Sequence, residues 1–145
     1  ANPKAEENVK SDAQIIVARS AMKSGDEAKA KVAYAKLLTV SKGELAAEAL
    51  YYDAYFKNKD GKFELSNTAI QKLAKNYSSY RYYGAKGLIL MAKNYYGLKD
   101  SYQATYVLEN VIENFTDYSD VVEEAKTELN KIKAEESKTN SSITK

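Results

Sequence analysis

The sequence predicts an all-α fold of stacked helix pairs, and three observations carry that expectation. Proline occurs once, at Pro3, so backbone N–H donation is uninterrupted through the rest of the 145 residues. Ala, Leu, Lys and Glu fill long stretches between six glycines, which fall mostly where apolar periodicity breaks. Small residues recur at a nearly fixed spacing: Ala18, Ala54 and Ala92, and in parallel Ala30, Ser66 and Ala104, are separated by 36 and then 38 residues. A period of about 20 to 50 residues means stacked units rather than one closed bundle.

The elements follow in order. Ile15, Ile16, Ala18 and Met22 form a helical stripe from Asp12 to Lys23, which Ser24-Gly-Asp26 interrupts. A second helix is expected from Asp26 to Thr39. Ser41-Lys-Gly-Glu44 has the spacing of a capping box and should open a third, which carries Leu45, Ala49, Leu50, Tyr51 and Ala54 and breaks at Lys59-Asp-Gly61. Phe63, Ile70, Leu73 and Ala74 mark a fourth to about Tyr77, after which Ser78 and Ser79 offer caps for a fifth ending near Gly97. Asp100-Ser-Tyr-Gln103 is another capping box, opening a sixth helix with Ala104, Leu108, Val111 and Ile112, and a last helix starts near Asp120. Short connections imply antiparallel neighbours. One domain is expected over 1–145, with repeats at about 11–44, 47–80 and 85–118, a capping helix at about 119–137, and frayed polar ends at 1–10 and 138–145.

Composition excludes more than it assigns. There is no cysteine or histidine, which removes disulfides, thiolate nucleophiles, imidazole bases and nearly every zinc, copper or haem site, so no cofactor or metal is expected. The 22 basic and 20 acidic residues leave a net charge of +2, and only Arg19 and Arg81 offer a guanidinium fork. Neither fact suits a nucleic-acid binder. No apolar run reaches the roughly 18 residues of a membrane span, so direct membrane insertion is not expected. The chain begins Ala-Asn-Pro without methionine or a basic-then-apolar leader, which suggests a processed product or a segment of a longer protein.

Within the third unit, Leu88-x-x-Met91-Ala92-x-x-Tyr95 followed by Ala104-x-x-x-Leu108-x-x-Val111 closely resembles the tetratricopeptide repeat. The first unit keeps Val17, Ala18, Ala30, Tyr34 and Leu37 but has Gln14 and Ala21 at large positions. The second keeps Leu50, Ala54, Ile70 and Leu73 but has Asp53 and Lys57 where apolar residues belong. AEALYYDAYF (47–56), YYGAKGLILMAKNYYGLKDSYQATYVLENVIENF (82–115) and the following VVEEAKTELNKI look like the C-terminal end of large envelope repeat proteins of Bacteroidetes. The resemblance implies a right-handed α-α superhelix of about three pairs with a capping helix. It also implies a non-catalytic scaffold in the cell envelope or periplasm, the cytoplasm being the alternative.

By that resemblance, the first helix of each pair lines a concave groove that takes another protein or peptide segment. Its lining would be Ile15, Arg19, Tyr51, Tyr52, Tyr55, Ile89, Lys93 and Tyr96. Tyrosine suits the role, burying large area at low rotamer cost while keeping a hydroxyl; packing between repeats is the competing role for each ring. Some members of the family clamp a terminal carboxylate with an asparagine. Ile16, Tyr52 and Leu90 stand at those positions here, so aromatic or apolar contact is the expected mode.

Two alternatives compete. YSSYRYYG (77–84) has the tyrosine and arginine of a base-stacking platform, which a steep salt dependence with single-stranded DNA or RNA would reveal. The repeat register instead assigns its surplus residues to an extra turn at the start of the fifth helix, with some of Tyr80, Tyr82 and Tyr83 packed on the fourth and Arg81 outward. An envelope glycan-acting enzyme would need paired carboxylates facing a cleft. Glu48 with Asp53, and Glu123 with Glu124, are the candidates, but such helical acids usually face water, and Asp53 is expected to pair with a nearby lysine or tyrosine. Lys59-Asp-Gly61 is too bare for a calcium loop, and no glycine-rich phosphate loop occurs.

Overall fold

The computed structural model describes residues 3–144, without side-chain detail for residue 7 and residues 141–144, and is all-α. Its helices are α1 (Pro3–Ser24), α2 (Glu27–Val40), α3 (Gly43–Lys59), α4 (Phe63–Asn76), α5 (Arg81–Gly97), α6 (Ser101–Asn114) and α7 (Ser119–Thr144). Each odd helix pairs with the even helix after it, and each even helix packs on the next odd one, while α3 also packs on α5 and α5 on α7. The result is a helix-pair repeat solenoid of α1–α2, α3–α4 and α5–α6, followed by α7.

The spaced small residues are where the pairs close. Ala18, Ala54, Ala92, Ala30, Ser66 and Ala104 are all completely buried. Ser66 Oγ donates to the Ala54 carbonyl at 2.7 Å, so two of the markers touch directly. Between successive pairs, a Cβ on Gly97 would lie 2.6 Å from the Phe63 ring, which shows how tightly the end of α5 meets the start of α4. Large side chains then fill the spaces between pairs: Tyr34, Leu37 and Phe56 in the first, Ile70, Leu73 and Leu90 in the second, Ile89, Leu108, Val111 and Val121 in the third. Each such burial contributes about 1.5–3 kcal/mol, more than any surface pair here supplies.

The turn within each pair uses one left-handed residue at the same repeat position: Gly25 (φ +83°), Gly61 (φ +74°) and Lys99 (φ +67°). Two of the three are glycine because a Cβ is strained there. Asp26 and Asp100 cap α2 and α6 by accepting from the Lys29 and Gln103 amides, each at 3.1 Å.

Several local expectations are corrected. Ser41 does not open α3: its hydroxyl turns back to the Leu37 carbonyl and closes α2, and α3 begins after Lys42 without a side-chain cap. Ser78 and Ser79 lie in a turn, and α5 begins after Tyr80, also without a side-chain cap. The surplus of the second spacing therefore lies in the 77–80 loop rather than in an added turn of helix, because α3 and α5 are both 17 residues long. Helix continues into the polar ends, from Pro3 and as far as Thr144, so the described part of both ends is helical. Residues 1, 2 and 145 of the expected frayed ends lie outside the described residues.

Candidate functional site

A cleft of about 500 Å³ opens along the odd helices. Helical spacing of three and four residues places its lining side chains on one face of each. From α3 come Tyr51, Tyr52, Tyr55, Asn58 and Lys59; from α5 come Lys86, Leu90, Lys93 and Tyr96; from α7 come Glu124, Glu128, Lys131, Ile132 and Glu135; Met22 of α1 closes one end.

One wall is aromatic. Tyr52 stacks on Tyr34 with ring centroids 4.3 Å apart and meets Tyr51 and Tyr55 edge-on at 5.0 and 5.8 Å. Lys86 sits over the Tyr51 ring at 5.8 Å and Lys59 over the Tyr55 ring at 5.4 Å. The opposite wall, on α7, is acidic. Lys93 of the floor lies 3.8 Å from both Glu124 and Glu128, and Lys86 lies 3.5 Å from Glu124. Tyr55 donates to Glu27 at 2.8 Å and Tyr96 to Glu135 at 2.5 Å.

These contacts fix protonation states. Burial, then the Glu27 carboxylate, pushes the Tyr55 phenol up to about 12; the hydrogen bond to Glu135, with some burial, pushes Tyr96 up to about 12. Both are neutral hydroxyls at ordinary pH, suited to hydrogen bonding rather than nucleophilic attack. The cleft thus offers aromatic faces, hydroxyls and alternating charge along about three turns of helix.

Five of the eight residues expected in the groove line this cleft: Tyr51, Tyr52, Tyr55, Lys93 and Tyr96. Tyr51 is nearly buried and Tyr52 is held by Tyr34, so these two also pack between repeats. Ile15 and Ile89 do not line it: they are 6% and 1% exposed and fill the core between helices, at the repeat position of Tyr51, whose longer side chain reaches the cleft. Arg19 lies beside the cleft, over a neighbouring depression with Tyr83 and Lys86, where it is bound to Glu48.

Glu48 is itself a correction, since it does not face water. Its side chain is 4% exposed and accepts from Arg19 Nε at 3.1 Å, Arg19 Nη2 at 2.6 Å, Tyr34 at 2.8 Å and Tyr83 at 3.0 Å. Burial pushes its pKa up, but the hydrogen bonds from Arg19, Tyr34 and Tyr83 together outweigh that and hold it below the ordinary glutamate value. The carboxylate joins α1, α2, α3 and α5. Asp53 pairs with Lys57 at 2.8 Å, the expected arrangement, and does not line the cleft.

The residues of YSSYRYYG are tied into packing. Tyr77, Tyr80 and Tyr83 lie against the α3–α4 core, and Tyr82 donates to Asp120 at 2.8 Å. Arg81 is half exposed but bound to Asp117 at 2.6 Å and to the Asn114 carbonyl at 3.1 Å, above the Phe115 ring.

Sequence reasoning missed the whole α7 wall. The signal was present in Glu124, Glu128, Lys131 and Glu135 at helical spacing, but a capping helix was not expected to line the groove. It also missed the buried network in which Asn94 donates to Ser66 and Asn67 and accepts from Asn58, each at 2.8 Å. Among the described residues no group of three acidic side chains could hold a metal ion, and no helix is long and apolar enough to cross a membrane. No protein-family model matches the chain, and no curated protein matches it.

Proposed function

We propose that this chain is a non-catalytic tetratricopeptide-like module that binds a segment of another protein in the cleft along α3, α5 and α7, as part of a longer cell-envelope protein. The observation that carries the binding reading is the lining itself. Tyr55, Tyr96 and Lys93 present aromatic, hydroxyl and cationic groups on the same side as Glu124, Glu128 and Glu135, in a trough open enough for a peptide chain. A segment laid there gains aromatic contact and can exchange the cleft's own charge pairs for pairs of its own. The raised phenols of Tyr55 and Tyr96, and the pairing of Glu124, Glu128 and Glu135 with Lys86, Lys93 and Tyr96, favour recognition over catalysis. The envelope assignment is supported by the resemblance of residues 47–56, 82–115 and 121–132.

Selection from a displayed peptide library tests the binding reading. Selected segments are expected to lose tenfold or more in affinity for Tyr55→Ala and Tyr96→Ala. Tyr106→Ala, which alters an exposed tyrosine on α6 outside the cleft, is expected to change nothing. Failure to enrich any segment, or equal loss in all three variants, contradicts the proposal. The reading frame ahead of Ala1 tests the location: a secretion signal and further repeats are expected, and a frame with neither contradicts it.

A further inference from the structure

The faces by which odd helices receive the preceding even helix are built from equivalent positions. On α3 these are Leu45, Ala49 and Tyr52, and on α5 Tyr83, Gly87 and Leu90, 38 residues later. The contact is explicit at Gly87, where a Cβ would lie 3.3 Å from Ile70 and from Leu73 of α4. The small residue at this position continues as Ala125 on α7, completely buried against the last pair.

On α1 the same register gives Val9, Ala13 and Ile16, 36 residues before Leu45, Ala49 and Tyr52. Asp12 likewise stands where α3 has Glu48, the acceptor of the Tyr34 hydroxyl of α2. The face therefore keeps the large-acid-small-large pattern of α3. Yet Val9 is 67% and Ile16 65% exposed, and Asp12 and Ala13 are exposed too. An uncovered face need not look like this. On α7, the positions that match Leu88, Ala92 and Tyr95 of α5 are Lys126, Asn130 and Lys133, polar and exposed.

We infer that the Val9–Asp12–Ala13–Ile16 face of α1 is an inter-repeat surface for the second helix of another helix pair of this repeat, joined ahead of α1 in a longer chain. Such a helix would continue an interface already present three times, α2 on α3, α4 on α5 and α6 on α7. A second copy of this chain is a poor occupant, because its even helices are each covered on that side by the odd helix that follows. The inference rests, with the proposed function, on a longer chain that carries upstream repeats, but not on the cleft. A protein that takes the added pair but binds no segment keeps this inference and loses the cleft reading.

The test is the 145-residue chain with residues 7–42 duplicated in tandem, which sets a second α2 ahead of the inner α1 at the native 36-residue spacing. Thermal unfolding followed by circular dichroism is expected to remain a single transition with its midpoint raised by about 5 °C or more, as for added repeats that share an interface. Ile16→Asp in the inner copy should abolish the rise, whereas the same change in the outer copy should leave it intact. An unraised midpoint, a separate early transition, or indifference to the inner Ile16→Asp overturns the inference. So does sedimentation of the unduplicated chain as a dimer that Ile16→Asp splits, because a second copy would then cover the face.

Discussion

Glu48 and Glu124 occupy the same repeat position two units apart, and the molecule treats them oppositely. Around Glu48, Tyr34 and Tyr83 close over the carboxylate and Arg19 caps it from α1, so an ionised group is buried with every neighbour a donor. Around Glu124 the packing is hydrocarbon, with Val121, Ala125, Leu129 and Ile132 of α7 set against α5 and α6. The acid itself stays at the cleft edge with its side chain 37% exposed, near Lys86 and Lys93. One backbone repeat thus supports two junctions. The α1–α3 end is held by a specific polar hub, and the α5–α7 end by apolar area that leaves its charges at the cleft edge.

That contrast can be broken first at Glu48. Glu48→Ala strips acceptors from a buried tyrosine and from an arginine, and should cost about 3 kcal/mol in denaturant unfolding. The same experiment on Glu124→Ala should register less than about 1 kcal/mol, as for an exposed pair. Equal costs would mean the two junctions do not differ.

Acid sharpens the contrast. Because Glu48 has a folded-state pKa below its unfolded value, its contribution is complete above about pH 4.5 and is lost as the pH falls through the depressed value. Stability measured from pH 6 downward should therefore fall in acid for the parent chain with a component missing in Glu48→Gln. An identical pH profile in the two proteins would contradict the hub.

Both ends share the close approach within pairs, and Ala92→Leu should overpack it at a cost of about 1–3 kcal/mol. A fully stable variant would contradict the register. The smallest change concerns the left-handed turn residue that is glycine in two pairs and Lys99 in the third. Lys99→Gly should stabilise by up to about 1 kcal/mol, the relieved strain exceeding the added chain entropy. A loss of stability in thermal unfolding would count against a shared turn geometry.

The helix pairs were legible in the sequence because their determinants are local and periodic. Ala18, Ala54 and Ala92 sit where two backbones must nearly touch, and only small residues fit. A cap was legible at Asp100 but misread at Ser41, whose hydroxyl can serve the helix behind it as readily as the one ahead. In the cleft, the aromatic wall was foreseeable from one face of α3. Ile15 and Ile89 were misplaced because they share the largely buried repeat position of Tyr51, from which only the longer tyrosine side chain reaches the cleft. Glu48 could not be recognised as buried, since its donors come from residues 19, 34 and 83, distant in sequence.

The central claim is that the cleft along the odd helices receives a polypeptide segment. Photo-crosslinking tests it most directly, with a benzophenone side chain placed at position 96 in the cleft or at position 106 on α6, each mixed with a library-selected segment. The account predicts a crosslink from 96 that excess unlabelled segment suppresses, and none from 106. Crosslinking from 106 alone, or equally from both, would contradict it.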